Sequence, residues 1–211
     1  MSISCAFDGV SSKSQARKAL VRWCAELSGD ERASSAQSIA RRVTEYLISI
    51  TTQTAQQSEG NQQRWLGVYW PIRTEPDLRS HYEQWVSLGW QLALPVTPSV
   101  PGPLRFVHWQ PGEPMARDAM GIAAPVRRQH VEPDVLIIPC LGYGPDALRL
   151  GYGGGYYDRT LAERNHNNSS DKTIISLGVA YAGAYLPALE AQTHDCLLTT
   201  IITDQGRQGG A

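Results

Sequence analysis

Between Arg149 and Asp158 the chain reads R-L-G-Y-G-G-G-Y-Y-D, with four glycines, three tyrosines, one arginine and one aspartate in ten positions. Glycine lets the backbone come close to a ligand. Arg149 offers a planar cationic fork for phosphate oxygens, and Asp158 a carboxylate suited to Mg²⁺ carried on a nucleotide. Residues 160–164, T-L-A-E-R, have helix-forming composition, and the unpaired N–H groups of a helix's first turn point at an anion. Upstream, D-V-L-I-I-P from Asp134 to Pro139 has the length and β-branched content of a buried strand. Strand, glycine turn and helix start together make a phosphate site. It is not a P-loop, because no G-K-S/T ending follows, and not G-x-G-x-x-G, because position 158 is Asp. The competing reading is a tight turn whose tyrosines merely pack.

Other residues invite the same double reading. Lys13 and Arg17 are four apart and fall on one helix face, as phosphate ligands or as a solvated basic face. Trp70 follows an apolar run and Glu75 lies five residues on. The indole can wall off a flat heterocycle and the carboxylate can accept its N–H groups; the bland alternatives are a core tryptophan and a surface turn. Asp195 precedes the last apolar run beside His194, and an aspartate there is either a ligand or a helix cap.

These residues need elements to carry them. Two helices open the chain, the first with Ala16, Leu20, Trp23, Cys24 and Leu27 at helical spacing, the second with Ala36, Ile39, Ala40, Val43 and Leu47. Ser28 and Glu31 form a capping box between them. Residues 51–64 are polar, Gln-rich and aperiodic, and read as an exposed loop. Strands are expected at 65–70, 90–94, 104–109, 135–138, 174–179 and 197–202, with helices at 77–88 and 154–164. Alternating strand and helix predicts an α/β fold, a single-domain three-layer sandwich with a mostly parallel, Rossmann-like sheet flanked by helices. In such sheets ligands gather beyond the carboxyl ends of the strands. Residues 110–132 form a connection long enough to be either functional or misread, and the tail 204–211 is expected to be disordered.

Composition sets bounds. The 211 residues carry a formal charge of −1, with 42% hydrophobic and 18% charged residues, which fits a globular domain and gives no global attraction for nucleic acid or an anionic membrane. Any anion must therefore be held by local cations. The four cysteines are scattered without a C-x-x-C pair, so neither a zinc site nor a disulfide framework is expected. The first ten residues include Asp8 and lack a long apolar stretch, so the expected location is cytoplasmic.

The motifs, in order, resemble the 5-formyltetrahydrofolate cyclo-ligase (5,10-methenyltetrahydrofolate synthetase) family. The likeness rests on K-S-Q-A-R from Lys13, V-Y-W-P-I-R-T-E-P-D from Val68, G-W-Q-L-A-L-P from Gly89, the glycine-rich segment, and T-H-D-C-L-L-T-T-I-I-T from Thr193. The resemblance implies ATP-dependent ring closure of a reduced folate with Mg²⁺ as cofactor. By it, Lys13, Arg17, Arg149, Leu150, Gly151, Tyr152, Gly153, Gly154, Gly155, Tyr156 and Tyr157 bind ATP. Trp70, Glu75 and Tyr156 bind substrate, Arg149 and Tyr156 serve catalysis, and Asp158 and Asp195 hold the metal. A monomer is expected, with a homodimer as the alternative, and partners other than ATP and folate are not.

Three positions depart from the family's pattern. Residues 181–187, Y-A-G-A-Y-L-P, lack the Gln usual there, Ala124 replaces an acidic residue before Pro125, and Tyr143 stands where phenylalanine is common. They leave the nucleotide signature whole and bear on the folate side. Two other function classes stay open: a non-catalytic folate- or nucleotide-binding protein on this scaffold, and an α/β enzyme acting on another phosphorylated substrate.

Overall fold

The computed structural model describes residues 12–55, 63–167 and 174–209. Helix α1 (Lys13–Glu26) starts at Ser12, whose hydroxyl accepts the Gln15 N–H at 3.3 Å. Helix α2 (Gly29–Ala55) follows after a single turn. The capping box is formed: Ser28 N–H donates to Glu31 Oε2 at 2.8 Å and Glu31 N–H to Ser28 Oγ at 3.1 Å. Among the described residues, twelve strands and two further α-helices complete the order: β1 (Arg64–Gly67), α3 (Tyr82–Ser87), β2 (Trp90–Val96), β3 (Arg105–His108), β4 (Met115–Arg117), β5 (Ala123–Pro125), β6 (His130–Val131), β7 (Val135–Pro139), β8 (Gly142–Tyr143), β9 (Arg149–Leu150), α4 (Tyr156–Asn167), β10 (Ile175–Ala180), β11 (Thr200–Thr203) and β12 (Arg207–Gln208).

Eight strands make one sheet in the order β12-β11-β10-β7-β1-β2-β3-β6. The inner five, β11 to β2, pair in parallel. β12 runs antiparallel to β11, β3 to β2 and β6 to β3. The chain leaves β1 toward β2 on one side, then returns to β7 and continues to β10 and β11 on the other. Parallel crossovers are right-handed, so opposite directions of travel put their helices on opposite faces. That is what the core records. α1, α2 and α3 pack with Leu66, Val135, Ile137, Leu177 and Val179 in one buried cluster. Leu161 of α4 packs with Leu136, Ile138, Ala180 and Ile201 in the other. Alternate residues of β7 thus serve opposite faces, which explains why V-L-I-I-P, Val135 to Pro139, is apolar throughout.

Several expectations on element bounds give way. The loop assigned to 51–64 is helical as far as Ala55 and already in β1 at Arg64, while 56–62 lie outside the described residues. Thr51 and Thr52, which read as loop residues, instead donate their hydroxyls to the Leu47 and Ile48 carbonyls at 2.7 and 3.0 Å and stay in the helix. The tail expected to be disordered contains β12 at its start, and Thr200 Oγ1 donates to Gln208 O at 3.0 Å and Gly209 O at 2.9 Å. Residues 210–211 lie outside the described residues. The long connection 110–132 folds into the β4–β5 hairpin and β6.

Candidate functional site

β1 and β7 are neighbours from which the chain departs in opposite directions, the switch point where open α/β sheets hold ligands. A crevice of about 390 Å³ opens there, and every residue singled out from the sequence lines it: Lys13, Arg17, Trp70, Glu75, the whole stretch Arg149 to Asp158, and Asp195. Four separate segments of chain converge there.

The glycine-rich turn is shaped by backbone need. Gly153 and Gly155 have φ of +98° and +65°, where a side chain is strained. This also delays the helix: α4 begins at Tyr156, two residues later than its composition implies. Its first bond runs from Arg159 N–H to Gly155 O at 3.0 Å, leaving the N–H groups of Tyr156 to Asp158, three residues that line the crevice, without intrahelical partners. Arg17 braces the turn, its Nε donating to Gly151 O at 2.8 Å.

Two ion pairs dominate the electrostatics. Arg149 Nη2 donates to Asp158 Oδ2 at 2.7 Å, the two side chains 6% and 19% exposed. The guanidinium also lies 5.6 Å from the Tyr157 ring centroid, and its Nε has no partner among the described residues. Lys13 pairs with Asp195. Burial pushes the Asp195 carboxyl up, but the Lys13 ammonium and the Gln192 N–H, at 2.6 Å, outweigh it and hold it below the usual range. His194 stays largely exposed, 4.0 Å from Asp195. Two of the corner's cations, Lys13 and Arg149, are therefore each matched by a carboxylate, while Arg17 bonds the Gly151 carbonyl.

The opposite end is drier. Trp70 stands three residues past β1, edge-on to Trp109 at 6.0 Å with the Arg79 guanidinium 4.8 Å from its ring centroid. Tyr69 donates its hydroxyl to Pro76 O, and Tyr82 donates to Tyr69 O, so buried phenols hold both ends of the loop 70–76. Inside that loop Glu75 and Ile72 bond reciprocally, Ile72 N–H to Glu75 Oε2 at 3.0 Å and Glu75 N–H to Ile72 O at 3.1 Å. Burial raises the Glu75 carboxyl to about 7, against smaller lowering by the Ile72 N–H and by Arg73. A carboxyl poised near neutrality in a cleft makes Glu75 a candidate functional residue.

Among the described residues, no three His, Cys, Asp or Glu side chains cluster as a metal cage. Mg²⁺ on a nucleotide needs less, because one or two carboxylates suffice when phosphates and water complete its shell. Asp158 and Asp195 fit that mode. Neither Ala124, buried in the hairpin, nor the short 181–187 segment breaches the crevice wall. Tyr143 instead reaches that segment, donating its hydroxyl to Ala182 O at 3.1 Å.

Sequence reasoning missed the hairpin's share of the wall, Asp118, Met120 and Ile122, together with Arg73. Asp118 accepts the N–H groups of Thr97, Met120 and Ile122 at 3.0, 2.9 and 2.9 Å. The signal was present as Asp118 and Gly121 three residues apart, a turn signature, in what read as a structureless connection.

Fold and crevice together define an open-sheet α/β protein with a charged, glycine-rich corner and an aromatic pocket in one crevice. The profile of the 5-formyltetrahydrofolate cyclo-ligase family matches residues 10–204. The chain belongs to that family and is an enzyme of the ligase class. It is 28% identical over 144 residues to the 5-formyltetrahydrofolate cyclo-ligase of Mycolicibacterium smegmatis, covering 64% of this chain and 71% of that one. To the Haemophilus influenzae 5-formyltetrahydrofolate cyclo-ligase it is 34% identical over 104 residues, 47% of this chain and 53% of the relative. The solved structure of Aquifex aeolicus 5,10-methenyltetrahydrofolate synthetase superposes with a TM-score of 0.71 at 23% identity, covering 93% of this chain and 92% of that one.

Proposed function

We propose that the protein closes the ring of 5-formyltetrahydrofolate at the expense of ATP, giving 5,10-methenyltetrahydrofolate, ADP and phosphate. The observation that carries this reading is the meeting, in one crevice, of a cationic glycine-turn corner and a dry pocket holding Trp70 and Glu75. The formyl oxygen attacks the γ-phosphorus, the bond to the β,γ-bridging oxygen breaks, and ADP leaves. The phosphorylated iminium carbon is then attacked by N10, which gives up its proton to solvent or to the leaving phosphate, and phosphate departs with the former formyl oxygen, leaving the methenyl bridge.

Each stage asks for positioning and charge stabilisation more than for a strong base. Lys13, Arg17 and Arg149 face the phosphates together with the N–H groups at the start of α4. Asp158 and Asp195 would hold Mg²⁺, which supplies charge neutralisation between phosphate oxygens. Arg149 must then share Asp158, and Lys13 must share Asp195, exchanging carboxylate for phosphate. Trp70 walls the pterin ring and Glu75 accepts its N–H groups. Tyr156 and Tyr157 stand at the junction of the two ligands, where their rings exclude water from the transferred group. The protein acts in the cytoplasm on this reading, consistent with the fact that none of its described helices is long and apolar enough to cross a membrane.

Incubation with 5-formyltetrahydrofolate and Mg·ATP, followed by the absorbance of the methenyl product, tests the proposal. Product should form only when both ATP and Mg²⁺ are present. A folded sample giving no more product than the enzyme-free control overturns it.

A further inference from the structure

The glycine-rich turn is held by an arginine at each end. Arg17 of α1 takes the Gly151 carbonyl. At the other end Arg159 reaches back from the first turn of α4 and donates Nη2 to Gly154 O at 2.8 Å. Its guanidinium lies 5.0 Å from the Tyr156 ring centroid. Among the described residues it forms no ion pair, and its buried Nε has no acceptor. The base of this side chain is fixed, because Thr160 and Leu161 are both buried. Thr160 Oγ1 accepts the Leu104 N–H at 2.8 Å and donates to Tyr156 O at 2.7 Å. Gly155 leaves room for the reach. A Cβ there would stand 2.8 Å from Arg159 Nη1, besides straining a φ of +65°.

Gly154, Gly155 and Tyr156 line the crevice, and Arg159 does not. What Arg159 touches is a carbonyl. A carbonyl turned into a phosphate site is unfavourable, because its partial negative charge repels phosphate oxygens. In a trans peptide the C=O of one residue and the N–H of the next point in opposite directions. Holding Gly154 O toward Arg159 therefore turns the Gly155 N–H the other way. That N–H has no protein acceptor among the described residues. Consecutive glycines are the backbone least able to keep such a plane unaided.

We infer that Arg159 is a positioning residue for the nucleotide: it fixes the Gly154–Gly155 peptide so that an N–H, and not a carbonyl, meets phosphate. The inference rests on the ATP-dependent reading above. Without the bond the peptide samples both orientations and only one is competent, so apparent affinity falls with the competent fraction. One ordinary hydrogen bond corresponds to about three- to ten-fold. The effect runs through geometry and not through charge, so salt does not screen it.

The experiment measures the dissociation constant of Mg·ATP by calorimetry for the wild type, Arg159→Lys and Arg159→Met, at low and high salt, with the Tm of each protein alone. Arg159→Met should weaken Mg·ATP by that factor at both salt concentrations, raise the KM for ATP in step, and change folate affinity far less. Arg159→Lys keeps a donor for the Gly154 carbonyl and should recover part of the loss. A loss that fades in high salt makes Arg159 a charge acting on the nucleotide and overturns the positioning role. A lowered Tm with Mg·ATP affinity unchanged also overturns it, leaving only a brace for the start of α4. Equal affinities in all three proteins overturn it while leaving the ring-closing reading intact. A wild type that binds no Mg·ATP overturns both.

Discussion

Replacing Glu75 with glutamine should make the empty protein more stable and the folate complex weaker. Burial holds the Glu75 carboxyl at about 7 in the folded state, against an ordinary value of 4.5. The folded chain thus keeps a proton that the unfolded chain has given up between those values, and stability falls as pH rises through that window. The full penalty is present above pH 7 and absent below the ordinary value. At about 1.4 kcal/mol per unit, the gap corresponds to about 3 kcal/mol. Glutamine carries no charge to desolvate and keeps an oxygen for the Ile72 N–H, so the variant escapes the penalty. In a chain of this size that amounts to a rise in Tm of about 6–12 °C at pH near 8 and almost none near pH 4. Calorimetry of ligand binding should move the other way. Loss of a charge-assisted acceptor weakens folate by about 1.5–3 kcal/mol and leaves ATP affinity nearly unchanged. Thermal melts at the two pH values and titrations with each ligand decide the matter. A glutamine variant less stable than wild type at pH 8, or equal losses for ATP and folate, refutes the reasoning and makes Glu75 a structural turn residue.

Arg149→Ala strips the partner from Asp158 and leaves a largely buried carboxylate, so thermal stability should drop by about 3 kcal/mol and the ATP-induced rise in Tm should vanish. A variant retaining the full shift and near-normal turnover excludes Arg149 from phosphate binding. Gly153→Ala places a side chain at φ +98°, with a cost of about 1–3 kcal/mol; turnover should fall more than folate affinity, and equal falls would count against a phosphate role for the turn. Tyr143→Phe removes the bond to Ala182 O at a cost of about 1 kcal/mol, visible in urea unfolding. Turnover should stay the same, and a large loss of activity would place Tyr143 in the site itself.

The parts of the fold that were readable in the sequence are those governed by local pattern. The β7 run is apolar at every position because both faces of a central strand are covered, and Ser28 with Glu31 closes a cap that needs no tertiary help. The convergence of Trp70, Glu75, Arg149 and Asp195 followed from one rule about strand ends, whereas Lys13 joined them through the family resemblance. Pairing between charges was not readable. Asp158 was assigned to a metal and Arg149 to phosphate, whereas the two bond to each other, because the glycine-rich turn folds one back on the other. The β4–β5 hairpin was hidden for a related reason: its strands are three residues each, too short to show alternation, and its order comes from Asp118 gathering N–H groups from two segments. The helical reach of α2 into 51–55 was obscured by threonines that score as loop but bond back to their own helix.

The Lys13–Asp195 pair joins residues 182 positions apart, and this bears on how the protein is made. As the chain leaves the ribosome, α1 emerges early, while the loop bearing Asp195 appears only near the end. The inner strands β1, β2 and β7 can zip together well before then. A nascent chain can thus bury much of its core while Lys13 still lacks its carboxylate partner. The pair is therefore among the last contacts of the crevice to form, since it must wait for residue 195 to arrive.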